Sequence, residues 1–224
     1  MAEESADRSR HEEEAAAALV LLIRRAQRVV RKAARILTGH VLRAGGGTVE
    51  VGHAVRAGTC QGVALARQGA RAGARRSWMA MTDLVAAPAD LYVAGTDALR
   101  AQQAGDAIAS QFYKSESVVV NGAAVDADEA LDELLWRLDR TATTETVDAW
   151  NAEIQRQNDL AEALGLEITE TWSAKLDFRT CKACRDLDGD YVVRPDRFED
   201  APPLHPNCRC FLLTEVRNKN QEAA

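Results

Sequence analysis

The apolar positions between residues 15 and 43 recur at steps of three and four, and basic residues fill much of the sequence between them. This period predicts a long amphipathic α-helix, which the glycines at 45–47 end or join to the next segment by a hinge. Residues 1–14 are polar and acidic without a period, so we expect them to be disordered. The apolar positions of the helix are Leu19, Leu22, Ile23, Ala26, Val30, Ala33, Leu37 and Val41.

Residues 48–77 are rich in alanine, arginine and glycine. The spacings Gly58-x-x-x-Gly62 and Gly69-x-x-x-Gly73 would permit close helix–helix approach, although each glycine disfavours a helix by about 1 kcal/mol relative to alanine. The alternative is a mobile basic segment that becomes ordered only on a partner. Helical character resumes over residues 78–113, with a new helix starting near Ala89. The stretch 115–124 predicts a loop or one short strand, because an Asn-Gly turn follows three valines.

Two further helices are predicted between residues 126 and 164. Asp126 can cap the first with Glu129 as its capping-box partner, and a threonine-rich joint at 140–143 precedes the second, over about 144–164. After Gly165 the apolar period changes from helical to two, which predicts strands at 166–172, 191–193 and 210–213. The fold class is therefore α+β, with a mostly helical region and a small antiparallel β-module. We divide the chain at residues 14, 125 and 217, and expect disorder over 218–224.

The net charge of −6 conceals a strong asymmetry. Residues 15–77 hold twelve Lys or Arg and one acid, whereas residues 78–224 hold fourteen bases and twenty-seven acids. The basic side chains of the first helix indicate contact with double-stranded DNA or an acidic protein, or else a solvated cationic face that later acidic helices balance. These side chains are Arg24, Arg25, Arg28, Arg31, Lys32 and Arg35.

Four of the five cysteines lie near the carboxy terminus, in a C-x-x-C pair and an H-x-x-C-x-C group. A tight C-x-x-C turn can direct two thiolates at one ion, and a later pair can complete a tetrahedral site of soft ligands, which predicts structural Zn²⁺. Cys208 and Cys210 are two residues apart, so either can be the fourth ligand. Structural disulfides and metal-free thiols are the alternatives. The candidate ligands are Cys181, Cys184, His205, Cys208 and Cys210.

These residues belong to a longer motif, W-x-x-x-x-D-x-R-x-C-x-x-C-x-x-L-D-G, followed by P-P-L-H-P-N-C-R-C. The motif resembles the carboxy-terminal signature of the phage Mu F-like minor head proteins, also called phage head morphogenesis proteins, over about residues 140–215. Besides the candidate ligands, the motif residues to which we assign structural roles are Trp172, Asp177, Arg179, Asp188, Gly189, Asn207 and Arg209.

The resemblance implies a protein of the virion, present in few copies inside the capsid near the portal and made in the host cytoplasm. Its implied partners are the portal protein, a major capsid or scaffolding protein, and packaged double-stranded DNA. Its implied role is to assist head assembly, DNA packaging or DNA delivery, without catalysis. There is no run of eighteen apolar residues, so no membrane span is predicted.

The alternative function is a zinc-supported nuclease or toxin-like enzyme of phage origin. The residues that such an enzyme could use, with His205 as the base, are Asp177, Arg179, Asp186, Asp188 and Asn207. A histidine that ligates zinc cannot also act as a general base, so this alternative conflicts with the predicted metal site. We expect Asp177 and Arg179 instead to pair with each other and to hold the turn before the C-x-x-C pair.

Overall fold

The computed structural model describes residues 2–87, 91–114, 131–175 and 177–217. The long helices are α1 (Ala2–Arg43), α2 (Thr48–Thr82), α3 (Leu91–Phe112) and α4 (Leu135–Ala163). A 3₁₀ turn, Asp132–Leu134, precedes α4, and a short helix α5 (Lys182–Asp186) follows it. The strands are β1 (Glu167–Ser173), β2 (Tyr191–Val193) and β3 (Phe211–Arg217). A mostly helical chain with a small carboxy-terminal sheet confirms the predicted α+β class.

The chain divides into two compact units that interleave along the sequence. The sheet unit consists of Met1–Leu22, Gly69–Pro88 and Thr146–Ala224. The helical unit consists of Ile23–Gln68 and Ala89–Glu145. Helices α1, α2 and α4 therefore contribute residues to both units. The sequence-based division at residue 125 falls outside the described residues, as do the predicted turn at 118–122, the Asp126 cap with Glu129, and the 218–224 tail.

Helix α1 begins at Ala2, which differs from the disorder expected for residues 1–14. One contact that holds this end lies within the sheet unit, where the Ser173 hydroxyl donates a 2.6 Å hydrogen bond to the Glu12 carboxylate. The other end of α1 agrees with the prediction. The backbone at Gly45 is left-handed, with a φ of 77°, and Gly46 N–H donates to the carbonyl of Val41, so the glycines terminate the helix.

Helix α2 runs without interruption through the glycine-rich segment, in agreement with the close-approach interpretation. A methyl group at Gly58 would come within 2.6 Å of the Ala34 Cα, and one at Gly62 would come within 2.6 Å of the Val30 Cα. Both partners lie on α1 in the helical unit. Glycine is therefore required where the two backbones meet. A methyl group at Gly69 would contact nothing within 4 Å, so that glycine has no such role.

The predicted joint at residues 140–143 is wrong, because α4 passes through it as continuous helix. The hydroxyl groups of Thr143 and Thr144 donate to the carbonyl groups of Asp139 and Arg140, one turn earlier. These bonds satisfy the threonine side chains inside a helix, so the threonines do not need to break it. In the described ranges, no helix is both long enough and apolar enough to cross a membrane.

The three strands form one antiparallel sheet, as predicted, and their order in the sheet is β2-β1-β3. Strand β3 is fixed to α4 by Asn151, whose side-chain amide donates to Cys210 O and accepts from Leu212 N. The amide therefore pairs the outer edge of β3 as a neighbouring strand would. Asn158, two turns further along α4, accepts from Trp78 Nε1 and Thr214 Oγ1, and donates to Glu170.

Candidate metal centre

The C-x-x-C pair lies at the start of α5. Cys181 is the cap residue of this helix, and its Sγ accepts a hydrogen bond from Cys184 N–H at 3.4 Å. One turn separates the two residues, so their sulfur atoms are on the same side of the turn. The main-chain hydrogen bond also favours the thiolate form and lowers the pKa of Cys181.

The second group of ligands lies on a tight turn from His205 to Cys208. Cys208 N–H donates to His205 O at 3.0 Å, and Asn207 has a left-handed backbone with a φ of 65°. Asparagine is one of the few residues that adopt this conformation at low cost, which explains its place in the motif. His205 Nδ1 is 2.9 Å from Pro206 O. A proton on Nδ1 satisfies this carbonyl and leaves the lone pair of Nε2 available to an ion.

All five predicted ligands come together in one Cys/His cluster, namely Cys181, Cys184, His205, Cys208 and Cys210. His205 Nε2 is 3.1 Å from Cys181 Sγ and 3.3 Å from Cys184 Sγ, and the sulfur atoms of Cys184 and Cys208 are 3.7 Å apart. Two groups could hold a metal ion, one formed by Cys181, Cys184 and His205, the other by Cys184, Cys208 and Cys210. Cys184 is common to both groups.

The distance between two of the sulfur atoms is that expected for two thiolates on one tetrahedral ion. Two thiolates bound to one Zn²⁺ at 2.3 Å would be about 3.8 Å apart, close to the observed separation of Cys184 and Cys208. The cavity that the cluster lines has a volume of about 10 Å³. That volume is about one water-sized sphere, which is enough for one ion.

The thiols of the cluster titrate over a wide range because they are close together and partly buried. Burial raises the pKa of Cys184 to about 12, whereas hydrogen bonding from Cys210 lowers the pKa of Cys208 to about 5. The same Cys208 thiolate, together with burial, raises the pKa of Cys210. A divalent cation at the centre would stabilise every thiolate, so that ionisation of Cys208 would no longer disfavour ionisation of Cys210.

Asp177 pairs with Arg209, and the expected pairing with the Arg179 side chain is wrong. Arg209 donates two hydrogen bonds to the Asp177 carboxylate, at 2.7 and 2.6 Å, and these bonds hold the pKa of Asp177 well below its usual range. Asp177 also accepts from the backbone N–H of Arg179. The ion pair therefore joins the segment before the C-x-x-C pair to the segment between Cys208 and Cys210.

The remaining motif residues shape the chain around β1. Trp172 is fully buried and meets the ring of Phe198 edge-on, with centroids 5.6 Å apart. Asp188 accepts a hydrogen bond from Ala174 N–H at 2.7 Å. Gly189 has a φ of 86° and its N–H donates to Trp172 O, so the Asp-Gly turn leads the chain back along β1.

The basic residues of α1 separate into two groups. Arg31 is half-buried and forms an ion pair with Asp139, within the helical unit. This pairing agrees with the alternative that acidic residues of a later helix balance the basic side chains of α1. The other five are exposed to solvent and form what we call the cationic face, namely Arg24, Arg25, Arg28, Lys32 and Arg35.

Sequence reasoning missed the buried polar residues of the sheet unit. Glu153 is fully buried and bonds to Arg71, Arg75 and Arg156, and Glu170 forms a buried ion pair with Arg194 at 2.5 Å. For Asn151 and Asn158 a signal was present, because they recur in phase with the buried apolar positions of α4. A polar residue on an apolar helical face indicates a buried hydrogen-bond partner.

These features define a class of protein, a helical scaffold with a small sheet and a thiol-rich cluster that could hold a metal ion. Residues 125–213 match the family described as Phage Mu protein F like protein. The resemblance that the motif indicated is therefore confirmed over these residues. No curated protein and no solved structure matches the chain significantly.

Proposed function

We propose that this protein is a minor head protein of a tailed bacteriophage, located inside the capsid and associated with the portal. In this role it assists head assembly, DNA packaging or DNA delivery. The observation that carries the proposal is the match of residues 125–213 to the phage Mu F-like family. The match covers the whole Cys/His cluster and the sheet except the last residues of β3.

The Cys/His cluster binds one structural Zn²⁺ in this proposal. Cys181, Cys184 and His205 provide three ligands, and either Cys208 or Cys210 provides the fourth. Thiolates and imidazole select zinc over the hard cations that prefer oxygen ligands. A thiol-rich set of four ligands leaves no open position for a substrate, which is the arrangement of structural zinc sites.

Zinc supplies stability that the small sheet lacks. The sheet has three strands, one of them only three residues long, and sheets of this size depend on packing or a metal for stability. The ion joins α5 to the turn before β3, beside the Asp177–Arg209 ion pair. We propose that the module fixed in this way docks on the portal.

The cationic face of α1 contacts packaged double-stranded DNA or an acidic protein surface. Its side chains are exposed, and Arg25, Arg28, Lys32 and Arg35 recur at steps of three and four, so they form one positive stripe along the helix, with Arg24 beside it. No acidic residue occurs between Ala15 and Arg43. A stripe of this kind attracts a polyanion, and the attraction falls with rising salt concentration.

Complementation of a phage from which the gene is deleted tests the virion role. We expect the wild-type protein and the control Cys60→Ser to enter heads, to co-purify with the portal protein and to restore infectivity. Cys184→Ser should fail on all three measurements, because the docking module loses its ion. Normal heads and full infectivity without the gene would contradict the proposed function.

The cationic face is tested by combining Arg24→Gln, Arg25→Gln and Arg28→Gln. If the cationic face binds DNA, the negative slope of log affinity against log salt concentration should become less steep, by roughly 0.9 for each lost phosphate contact. Arg197→Gln, an exposed arginine of the sheet unit, serves as the control. Unchanged DNA affinity and unchanged incorporation in the triple variant would contradict any role of this face.

A further inference from the structure

Phe178 is the most exposed aromatic ring in the described part of the chain, with 89% of its surface accessible to solvent. It lies in the loop between β1 and α5, directly before the C-x-x-C pair. Four exposed basic side chains surround it in sequence. We call these five residues the knuckle surface, namely Lys175, Phe178, Arg179, Lys182 and Arg185.

The loop that carries Phe178 is tightly held. Thr180 N–H donates to Asp177 O, Asp177 N–H donates to Thr180 Oγ1, and Arg179 N–H donates to Asp177 Oδ1. The Asp177 carboxylate is in turn clamped by both terminal nitrogens of Arg209. These bonds hold the backbone of the loop on both sides of Phe178.

The basic groups are arranged around the ring. The Arg179 guanidinium lies 5.2 Å from the centroid of the Phe178 ring, over one of its faces. Arg185 donates a hydrogen bond to Thr180 O at 3.2 Å, which brings its guanidinium back beside the loop. Lys182 is three residues before Arg185 on the same turn of α5, so both project from the same side.

The charge balance of this surface is unlike that of the surrounding sequence. Residues 175–185 contain four bases and one acid, whereas acids outnumber bases about two to one over residues 78–224. The one acid, Asp177, is already paired with Arg209. The next exposed acid along the sequence is Asp186, at the end of α5. The knuckle surface is thus a positive patch in an otherwise acidic region.

We infer that the knuckle surface binds single-stranded nucleic acid. The open face of the Phe178 ring stacks on an unpaired base, and the basic side chains contact the phosphates on either side of it. Two of the four bases are lysines, which are depleted from protein–protein interfaces but are ordinary ligands of phosphate. An acidic protein partner is therefore the less favoured occupant. This inference does not depend on the proposed virion role.

The test measures fluorescence anisotropy of a labelled oligonucleotide of twelve thymidines. The parent protein carries Arg24→Gln, Arg25→Gln and Arg28→Gln, so that the cationic face does not contribute. Phe178→Ala should weaken binding about tenfold, from the loss of one stacked base, while Phe178→Tyr should preserve it. Tyr191→Ala removes another exposed ring of the sheet unit and should leave binding unchanged.

Two further measurements identify the occupant. The double substitution Lys182→Gln with Arg185→Gln should make the slope of log affinity against log salt concentration less steep, by roughly 0.7 for each lost phosphate contact. Zinc content and circular dichroism of each variant establish that it is folded. Equal affinity of the parent and Phe178→Ala for the oligonucleotide would overturn the inference. It would also be overturned if a twelve-residue polyglutamate peptide bound more tightly than the oligonucleotide, and with the same dependence on Phe178.

Discussion

In the helical unit, the core consists of Phe112 and many small and aliphatic side chains distributed along four helices, with Val30, Val55 and Leu138 among those fully buried. In the sheet unit, five cysteine and histidine residues from two short segments meet around a cavity of about 10 Å³. The first arrangement distributes stability over many weak contacts, so single changes should have graded effects. The second arrangement makes stability depend on one cluster, so disruption of that cluster should unfold the sheet almost completely.

Removal of the metal is the largest expected difference between the two units. Structural zinc in small domains contributes about 10–16 kcal/mol of apparent binding free energy, so a chelator should unfold the module over residues 166–217. Hydrogen exchange measured by mass spectrometry should then show loss of protection within residues 166–217, including β1 and β3. The helices of the helical unit should remain protected.

Cys60→Ser is the matched control for that experiment, because Cys60 lies on α2, away in sequence from the cluster. It should respond to the chelator as the wild type does. Equal protection of β1 with and without chelator would mean that packing alone holds the sheet.

Glu153→Gln is expected to have the next largest effect, again within the sheet unit. Burial alone would raise the pKa of Glu153, but hydrogen bonds from Arg156, Gln157 and Arg75 outweigh it, so its pKa lies below the usual value. Removing this charge leaves buried guanidinium groups uncompensated, which should cost about 3 kcal/mol at neutral pH.

The loss of stability in Glu153→Gln should also depend on pH. Because the pKa is lower in the folded protein, Glu153 contributes its stabilisation above the unfolded value of about 4.3 and loses it as the pH falls through the folded value. Urea denaturation at several pH values should show the difference between wild type and Glu153→Gln shrinking below pH 4. A difference that is constant with pH would contradict the assignment.

In the helical unit, Gly58→Ala should destabilise the protein by about 1–2 kcal/mol. The new methyl group meets the backbone of α1, and this overpacking outweighs the gain in helix propensity. Gly69→Ala is the matched substitution with open space around it, and should stabilise by up to about 1 kcal/mol. Thermal denaturation measures both, and zinc content should be unchanged. Equal effects of the two substitutions would show that the helices do not meet at Gly58.

The sequence predicted features whose residues are close together in the chain. The C-x-x-C pair, the Asp-Gly turn and the end of α1 each depend on a few neighbouring residues, so local chemistry determines them. The three strands were also predicted, because the change of period after Gly165 is local.

Partners that lie far apart in sequence could not be predicted in the same way. Arg31 pairs with Asp139, and Asp177 pairs with Arg209 rather than Arg179, since tertiary packing decides which charges meet. Thr143 was misread as part of a joint because its hydroxyl group can bond either within a helix or outside one. The exposure of Phe178 could not be predicted from the sequence either, because only the folded loop shows which ring faces solvent.

The most direct test of the account is the metal content of the purified protein, measured by mass spectrometry on the wild type, Cys184→Ser and Cys60→Ser. We expect one zinc per chain in the wild type and in Cys60→Ser, and none in Cys184→Ser, because Cys184 belongs to both possible ligand groups. Wild-type protein that holds no zinc when purified without chelator would contradict the structural metal site, while the match to the phage Mu F-like family would stand.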